Sequence, residues 1–457
     1  MKIILSLQYL NVHLEQGNKR EMTEYPVKIE QLRPGMFVRI VGLGWRDHPF
    51  LMNSFKIKNN EQIEVISQCG VATVIFVPEK SDVLPLAVQK NLPPTPAVSV
   101  SDPKKDAEME RLWEEKNERI ANQKTLRKKI NACQKKFSSS VETVRNVMKN
   151  IEGGRLESVE NAEDLLQTII DDLVAEKETA LQLMNVDKVG DGIFYHSLNV
   201  SVLSMMLGRE LGLDAEELKI IGMGALFHDV GKHRVPKNVL YKPTPLTKFE
   251  REILQMHPQY GVETMMPLAA DCRFSLDAVR IIKEHHERGD GSGYPNRLKG
   301  EDISEMTKIV SIVDRYDNLC NNQNPEKSIT PHEAMAYMFK SERAYLDTKF
   351  LQRFISYMGI YPPGTIVRLS NEVVGMVISV NTSNSLKPNL LIYDPEISKN
   401  EALIFDLSED PSLSITTSIR PRDLPDAVYD YLNPRVRVSY YLSAQDLQPA
   451  KPGVTGK

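Results

Sequence analysis

A chain of 457 residues is too long for one compact core, so two to four domains are expected. With 41% hydrophobic and 26% charged residues and a formal net charge of -4, the composition is that of an ordinary folded protein, without the global basic field that a nucleic-acid polymer would call for. No apolar run approaches the roughly eighteen residues of a membrane span, and Cys69, Cys133, Cys272 and Cys320 fall in no paired motif, which suits structural thiols in a reducing, cytoplasmic setting.

The opening, MKIILSLQYLNVHLEQ, lacks a small-residue cleavage site, and Met22 precedes TEYPVKIEQLRPGMFVRI, which reads as the start of a domain. Residues 1–21 are therefore read as a mobile extension or a mis-assigned start, with Met1 and Met22 both candidates. Short β-branched and aromatic runs broken by Pro and Gly predict a small β-rich domain over 22–80. The prolines of LPLAVQKNLPPTPAVSVSDPKK mark 81–105 as a semi-extended linker. Residues 106–187 read as a helical connecting region: a long polar helix or helix pair, a break at Gly153 and Gly154, then VENAEDLLQTIIDDLVAEKETALQLMNV with apolar residues at helical spacing. The polar helix is a solvated face that also offers a homodimerisation surface.

Successive amphipathic patterns predict an all-helical domain over 188–361. Alternating strands such as TIVRLS and VVGMVISV follow, and DLPDAVYDYL adds a short helix, so 362–447 reads as a β-rich appendage and 448–457 as a disordered tail. The fold class is mainly α, a helical domain flanked by two small β-rich ones.

Six of the nine histidines lie between His196 and His286: His196, His228, His233, His257, His285 and His286. LFHDVGK sets His228 and Asp229 at the end of an apolar helix, and KIVSIVDRYD sets Asp314 behind Ile and Val. A buried imidazole or carboxylate needs a partner, and several such groups on neighbouring helices suit first-row divalent ions. An N,O ligand set without thiolate favours iron or manganese, with zinc and nickel also compatible. Two ions sharing a bridging water lower its pKa to about 7 and clamp an in-line phosphoryl displacement. Lys232, one helical turn after His228, is placed to neutralise phosphate oxygens. His233 points to another face and reads as a non-ligand.

The motifs HSLNVS, LFHDVGKHRVP, MHPQYG, HHERGDGSGYP and IVDRYDNL, in this order between Gly192 and Leu319, resemble the HD-GYP family of the HD superfamily. The resemblance implies a helical HD bundle and a cytoplasmic bacterial phosphodiesterase that hydrolyses cyclic di-GMP to the linear dinucleotide pGpG, and often on to GMP, by metal-activated hydroxide. It makes His196, His228, Asp229, His257, His285, His286 and Asp314 the metal ligands, Asp229 the bridge between two ions, and Lys232 a contact to the scissile phosphate. The loop bearing Arg288, Asp290, Gly293, Tyr294 and Pro295 would shape the substrate pocket and contact diguanylate cyclase domains.

Two departures stand out. Some relatives carry a glutamate where this chain has Gly192, beside Asp191, which argues for two ions rather than three. Many carry a basic segment where this chain reads CNNQNPEKS, so Gln323 stands in place of an arginine and Lys327 is the nearby cation for the substrate. The segment 22–80 resembles the small domain of unknown function that often precedes HD-GYP domains, a plausible input module with no implied ligand. Two other readings remain beside hydrolysis of cyclic di-GMP: a non-catalytic receptor using the same pocket, and a hydrolase of another nucleotide.

Overall fold

The computed structural model describes residues 24–50, 52–87, 103–151, 156–175, 179–184, 192–270, 274–322, 324, 327–380, 386–395, 397–399, 402–411, 413–432 and 439–444. Residues 1–21, the tail 448–457, Asp191, Cys272 and Gln323 lie outside them.

The amino-terminal unit contains β1 (Tyr25–Lys28), β2 (Phe37–Arg39), β3 (Ser54–Lys56), α1 (Asn60–Gln68) and β4 (Thr73–Phe76), in an antiparallel sheet of order β1-β4-β2-β3. Val27, Val38, Val74 and Phe76 from the sheet meet Val65 and Ile66 of α1 in a core of their own. The predicted linker begins later than residue 81, because Asp82 and Leu86 still donate backbone hydrogen bonds to Gly35 and Gln31 of this unit. Proline content alone could not show that these residues had backbone partners.

α2 (Pro103–Ile151) is one continuous helix of 49 residues. Its first half is rich in charged residues, whereas Cys133, Phe137, Val141, Val144, Val147 and Ile151 recur every three or four positions and are buried. α3 (Leu156–Ala175) follows, and then β5 (Thr179–Met184). The expected helix through residue 187 is thus corrected, since 179–184 is a strand. Ala, Leu, Gln and Met favour a helix locally, but antiparallel pairing to a distant strand overrides that preference and buries Leu183 and Met184.

The helical domain continues with α4 (Gly192–Leu211), α5 (Ala215–Phe227), a 3-10 turn (Val230–Arg234), α6 (Lys237–Leu240), α7 (Lys248–Leu254), α8 (His257–Ala270), α9 (Leu276–Glu284), α10 (Glu305–Cys320), α11 (Pro331–Tyr337) and α12 (Thr348–Met358). Every residue of α4 from Tyr195 to Gly208 is buried, so this helix is the axis around which the others pack. Asp214 caps α5 by accepting from the Glu217 amide while Glu217 returns a bond to the Asp214 amide; Ser275 and Ser304 cap α9 and α10.

The chain closes with β6 (Ile366–Leu369), β7 (Val374–Ser379), β8 (Asn389–Ile392), β9 (Ile404–Asp406), β10 (Ile415–Ile419), α13 (Asp426–Leu432) and β11 (Ser439–Ala444). The sheet runs β10-β6-β7-β5-β11, with β8 and β9 extending from β7. Because β5 precedes the helical domain and β11 follows it, the expected appendage is built from both sides of that domain. Tyr440 and Tyr441 of β11 enter the main core alongside α2, α4 and α10. Trp45 and Met52 of the amino-terminal unit pack against Tyr361, Val367 and Leu390, and the Lys116 ammonium on α2 donates to the Trp45, His48 and Phe50 carbonyls. Among the described residues, no helix is long and apolar enough to cross a membrane.

Candidate metal centre

Each of the sequence-selected histidines sits at a helix end or on the central helix, with its ring fixed by a neighbour. His228 follows the last residue of α5, and its Nδ1 donates to the Ala225 carbonyl at 2.6 Å. His257 opens α8 and donates from Nδ1 to Leu254 O at 2.8 Å; His285 follows α9 and donates from Nδ1 to Ile282 O at 2.8 Å. In all three the acceptor lies three residues back, where the preceding turn leaves a free carbonyl. A carbonyl only accepts, so each Nδ1 carries a proton, and Nε2 is the ring nitrogen turned inward, where it can offer a lone pair to a cation.

These lone pairs converge. His196 Nε2 on α4 lies 3.1 Å from His228 Nε2, and His257 Nε2 lies 3.2 Å from His285 Nε2. Asp229 stands between the two pairs: its Oδ2 is 3.5 Å from His196 Nε2 and 3.4 Å from His228 Nε2, while its Oδ1 is 3.3 Å from His257 Nε2 and 3.8 Å from His285 Nε2. Asp314 Oδ1 on α10 joins the first pair, at 3.2 Å from His196 and 3.5 Å from His228. His286 stacks beside the second pair, with ring centroids 4.1 Å from His285 and 5.0 Å from His257. The seven predicted ligands therefore come together as two subsites that share Asp229.

The donor set tests itself. Asp229 Oδ1 is buried and receives no hydrogen bond, although two imidazole nitrogens surround it. Facing lone pairs next to an unpartnered carboxylate oxygen repel one another unless a cation lies among them. The residues present thus fit divalent ions.

Electrostatics divide the site. Burial opposes the charge on Asp229, but Lys232 and the His228 and His196 imidazoles outweigh it and hold its carboxyl well below the usual range; burial of Asp314 is likewise outweighed by His196 and His228. Burial would also keep His228 neutral, yet Asp229 and Asp314 raise its imidazole to about 9. Burial pushes His285 well below its ordinary value, and burial with His257 beside it pushes His286 down to about 3. A divalent ion held by His196, His228, Asp229 and Asp314 would take the place that a proton otherwise fills there.

Two glycines set the approach. A Cβ on Gly231 would lie 2.0 Å from the His257 carbonyl oxygen and 2.4 Å from the Gly261 amide nitrogen, so only glycine lets the turn after Asp229 touch α8. A Cβ on Gly293 would meet the 286–288 backbone at 2.4–2.6 Å, so that loop crosses directly over the ligand histidines. Tyr294 packs on His286 with ring centroids 4.7 Å apart, next to Pro295 across a cis peptide bond. Lys232 donates to Asp229 Oδ2 at the rim of the cluster.

Other expected substrate contacts lie outside the buried cluster. Arg288 is exposed and covers the Tyr345 ring at 4.4 Å; Asp290 is exposed and accepts from the Ser292 amide at 2.9 Å; Lys327 is exposed in the turn after α10. His233 donates from Nδ1 to the Val230 carbonyl and does not join either subsite.

Sequence reasoning missed two carboxylates. Asp317 accepts from His196 Nδ1 at 2.6 Å, and Glu287, buried, accepts from the Asn296 and Leu298 amides at 2.5 and 2.9 Å and so ties the glycine-rich loop closed. Asp317 was open to discovery, because it lies three residues after Asp314 on the same helix face.

Comparison with known proteins agrees with this architecture. A model of a domain of unknown function, DUF3391, matches residues 25–162, and an HD domain model matches 168–350. The chain is 27% identical over 376 residues to the cyclic di-GMP phosphodiesterase PA4108 of Pseudomonas aeruginosa, covering 80% of this chain and 84% of that one. It is 34% identical over 175 residues to the cyclic di-GMP phosphodiesterase response regulator RpfG of Xanthomonas campestris, and 31% identical over 162 residues to 3'3'-cGAMP-specific phosphodiesterase 2 of Vibrio cholerae. Those two matches cover 38% and 35% of this chain and only 46% and 31% of the relatives' own lengths. Among solved structures, the Bdellovibrio bacteriovorus HD-GYP-type protein Bd1817 aligns over 73% of this chain and 98% of its own, at 17% identity and a TM-score of 0.40.

Proposed function

We propose that this chain, which carries a DUF3391 domain ahead of an HD domain, is an HD-GYP-type, metal-dependent phosphodiesterase that opens cyclic di-GMP to pGpG and carries part of it on to GMP. The observation that carries the reading is Asp229: one carboxylate reaches the His196–His228 pair with one oxygen and the His257–His285 pair with the other. That is the geometry of a bridge between two cations.

His196, His228, Asp229 and Asp314 would hold one ion, and Asp229, His257, His285 and His286 the second; iron or manganese suits this N,O set. When bound, such ions supply Lewis acidity and lower the pKa of water to about 7. The chain's own residues do the rest. Lys232, anchored on Asp229 at the rim, offers its ammonium to the non-bridging oxygens of the scissile phosphate as charge builds there. Tyr294, held against His286 by the closed loop, forms a wall that limits how a nucleotide approaches. Arg288, in that loop, and Lys327, in the turn after α10, are exposed cations available to the second phosphate.

A second reading, hydrolysis of a hybrid cyclic GMP-AMP, is favoured by the names of several relatives and by the neutral segment Cys320–Asn324, where a basic one is expected. Parallel turnover of the two cyclic dinucleotides tests both. Faster hydrolysis of cyclic di-GMP supports the proposal, faster hydrolysis of the hybrid selects the second reading, and binding without hydrolysis of either leaves a receptor.

A further inference from the structure

The carboxy-terminal strand β11 lies outside both matched domain models, yet it reaches the metal centre through one side chain. Asn199, on α4 and buried, accepts the Tyr440 backbone N–H on Oδ1 at 2.8 Å and donates from Nδ2 to Asp317 Oδ1. Asp317 also accepts from His196 Nδ1, at 2.6 Å on its other oxygen, and from Asn321 Nδ2 at 2.8 Å. The orientation of the Asn199 amide is unambiguous, because the flipped form would set N–H against N–H and oxygen against carboxylate. His228, His257 and His285 each give the Nδ1 proton to a backbone carbonyl three residues back, whereas His196 gives its Nδ1 proton to this carboxylate.

We propose that Asn199 is a positioning residue that ties metal-ligand His196, through Asp317, to the seated β11 strand, so that the first metal subsite is fully formed only when the carboxy-terminal strand is docked. The inference rests on the metal-centre reading above. Outer-shell partners of ligating histidines fix the ring and raise its basicity, and their loss typically weakens metal binding about 10–100-fold. Here the outer-shell carboxylate, Asp317, is held by Asn199, whose own anchor is a strand some 240 residues further along the chain that pairs antiparallel with β5. Its neighbour Tyr441 bonds the Ser140 hydroxyl on the long α2 helix at 2.9 Å. A change in how α2 lies against β11 therefore bears on the first subsite directly, which gives the amino-terminal half of the chain a physical route to the centre.

The test uses the purified full-length chain and Mn2+ in competition with a chelator. Asn199→Ala is expected to bind Mn2+ about tenfold or more weakly while keeping cooperative thermal unfolding. Tyr440→Phe retains the backbone N–H but loses the hydroxyl bonds to Tyr316 and Pro363, so it is expected to lower thermal stability and leave Mn2+ affinity unchanged. Equal affinity in Asn199→Ala and the unaltered protein would overturn the proposal, and so would equal losses in both variants. Should Asn199→Ala not fold, hydrogen exchange of the unaltered chain decides: Mn2+ is expected to slow exchange in the 439–444 peptide more than in the 415–419 peptide of the same sheet, and uniform slowing would overturn the proposal. Absence of Mn2+ binding by the unaltered chain would instead refute the metal-centre reading itself.

Discussion

His257 Nε2 faces His285 Nε2 at 3.2 Å, and each ring directs its Nδ1 proton to a backbone carbonyl, which leaves the two Nε2 atoms turned towards each other. Two such nitrogens are held together by the fold at the termini of α8 and α9, with Asp229 Oδ1 beside them. Removing one ligand leaves its partners buried without a counterpart. His257→Ala, His228→Ala and Asp229→Ala are each expected to lose bound metal and turnover together, with Asp229→Ala losing metal from both subsites. Elemental analysis beside a turnover assay checks this, and a variant that keeps both properties contradicts the ligand assignment.

Lys232 is expected to separate from the ligands in such a comparison. Lys232→Ala should keep its metal and lower kcat by about 100-fold or more, the usual cost of removing one group that stabilises transition-state charge. Loss of metal in this variant would show that Lys232 serves the site through Asp229 rather than through the substrate.

Gly231 should tolerate no side chain. The added Cβ of Gly231→Ala would meet the backbone of α8, which cannot rotate aside, so thermal or denaturant unfolding is expected to show a loss of about 3 kcal/mol or more. Gly293→Ala presses on backbone near His286 instead, and is expected to displace Tyr294 and raise KM with a smaller loss of stability. Wild-type stability in Gly231→Ala would mean that the turn and α8 lie further apart than described.

The thiols give an independent check on the packing. Burial pushes Cys133 up to about 12 and Cys320 well above its ordinary value, so neither is a thiolate near neutrality. Alkylation at pH 8 is expected to spare both in the native protein and label them on unfolding, whereas fast native labelling of either would contradict the core assigned to it.

The helices between residues 192 and 358 were legible because apolar spacing, capping residues and the ordered histidine motifs all point the same way. The convergence of the histidines and aspartates was legible for a simpler reason: a histidine or aspartate buried on an apolar helix has few other ways to be satisfied. β5 was not, because TALQLM carries helix-forming residues and becomes a strand through pairing with distant strands, chiefly β11, more than 250 residues away in sequence. For the same reason the carboxy-terminal region looked like an appendage. Asn199 and Asp317 look like ordinary polar residues on helices until β11 and His196 are seen on either side of them. Glu287 stands inside the quoted HHERGDGSGYP motif, but its acceptors' role depends on the loop returning over it at Asn296 and Leu298.

Hydrolysis at one bridged, two-ion centre is what the proposed function requires. The most direct measurement is anaerobic turnover of cyclic di-GMP by the full-length chain with Mn2+ or ferrous iron, then after chelation, with products separated and bound metal counted in the same samples. About two ions per chain are expected, with linear dinucleotide that appears only with metal and stops on chelation. Undiminished turnover in protein stripped of metal, or about two bound ions with no product from any cyclic dinucleotide, would contradict it.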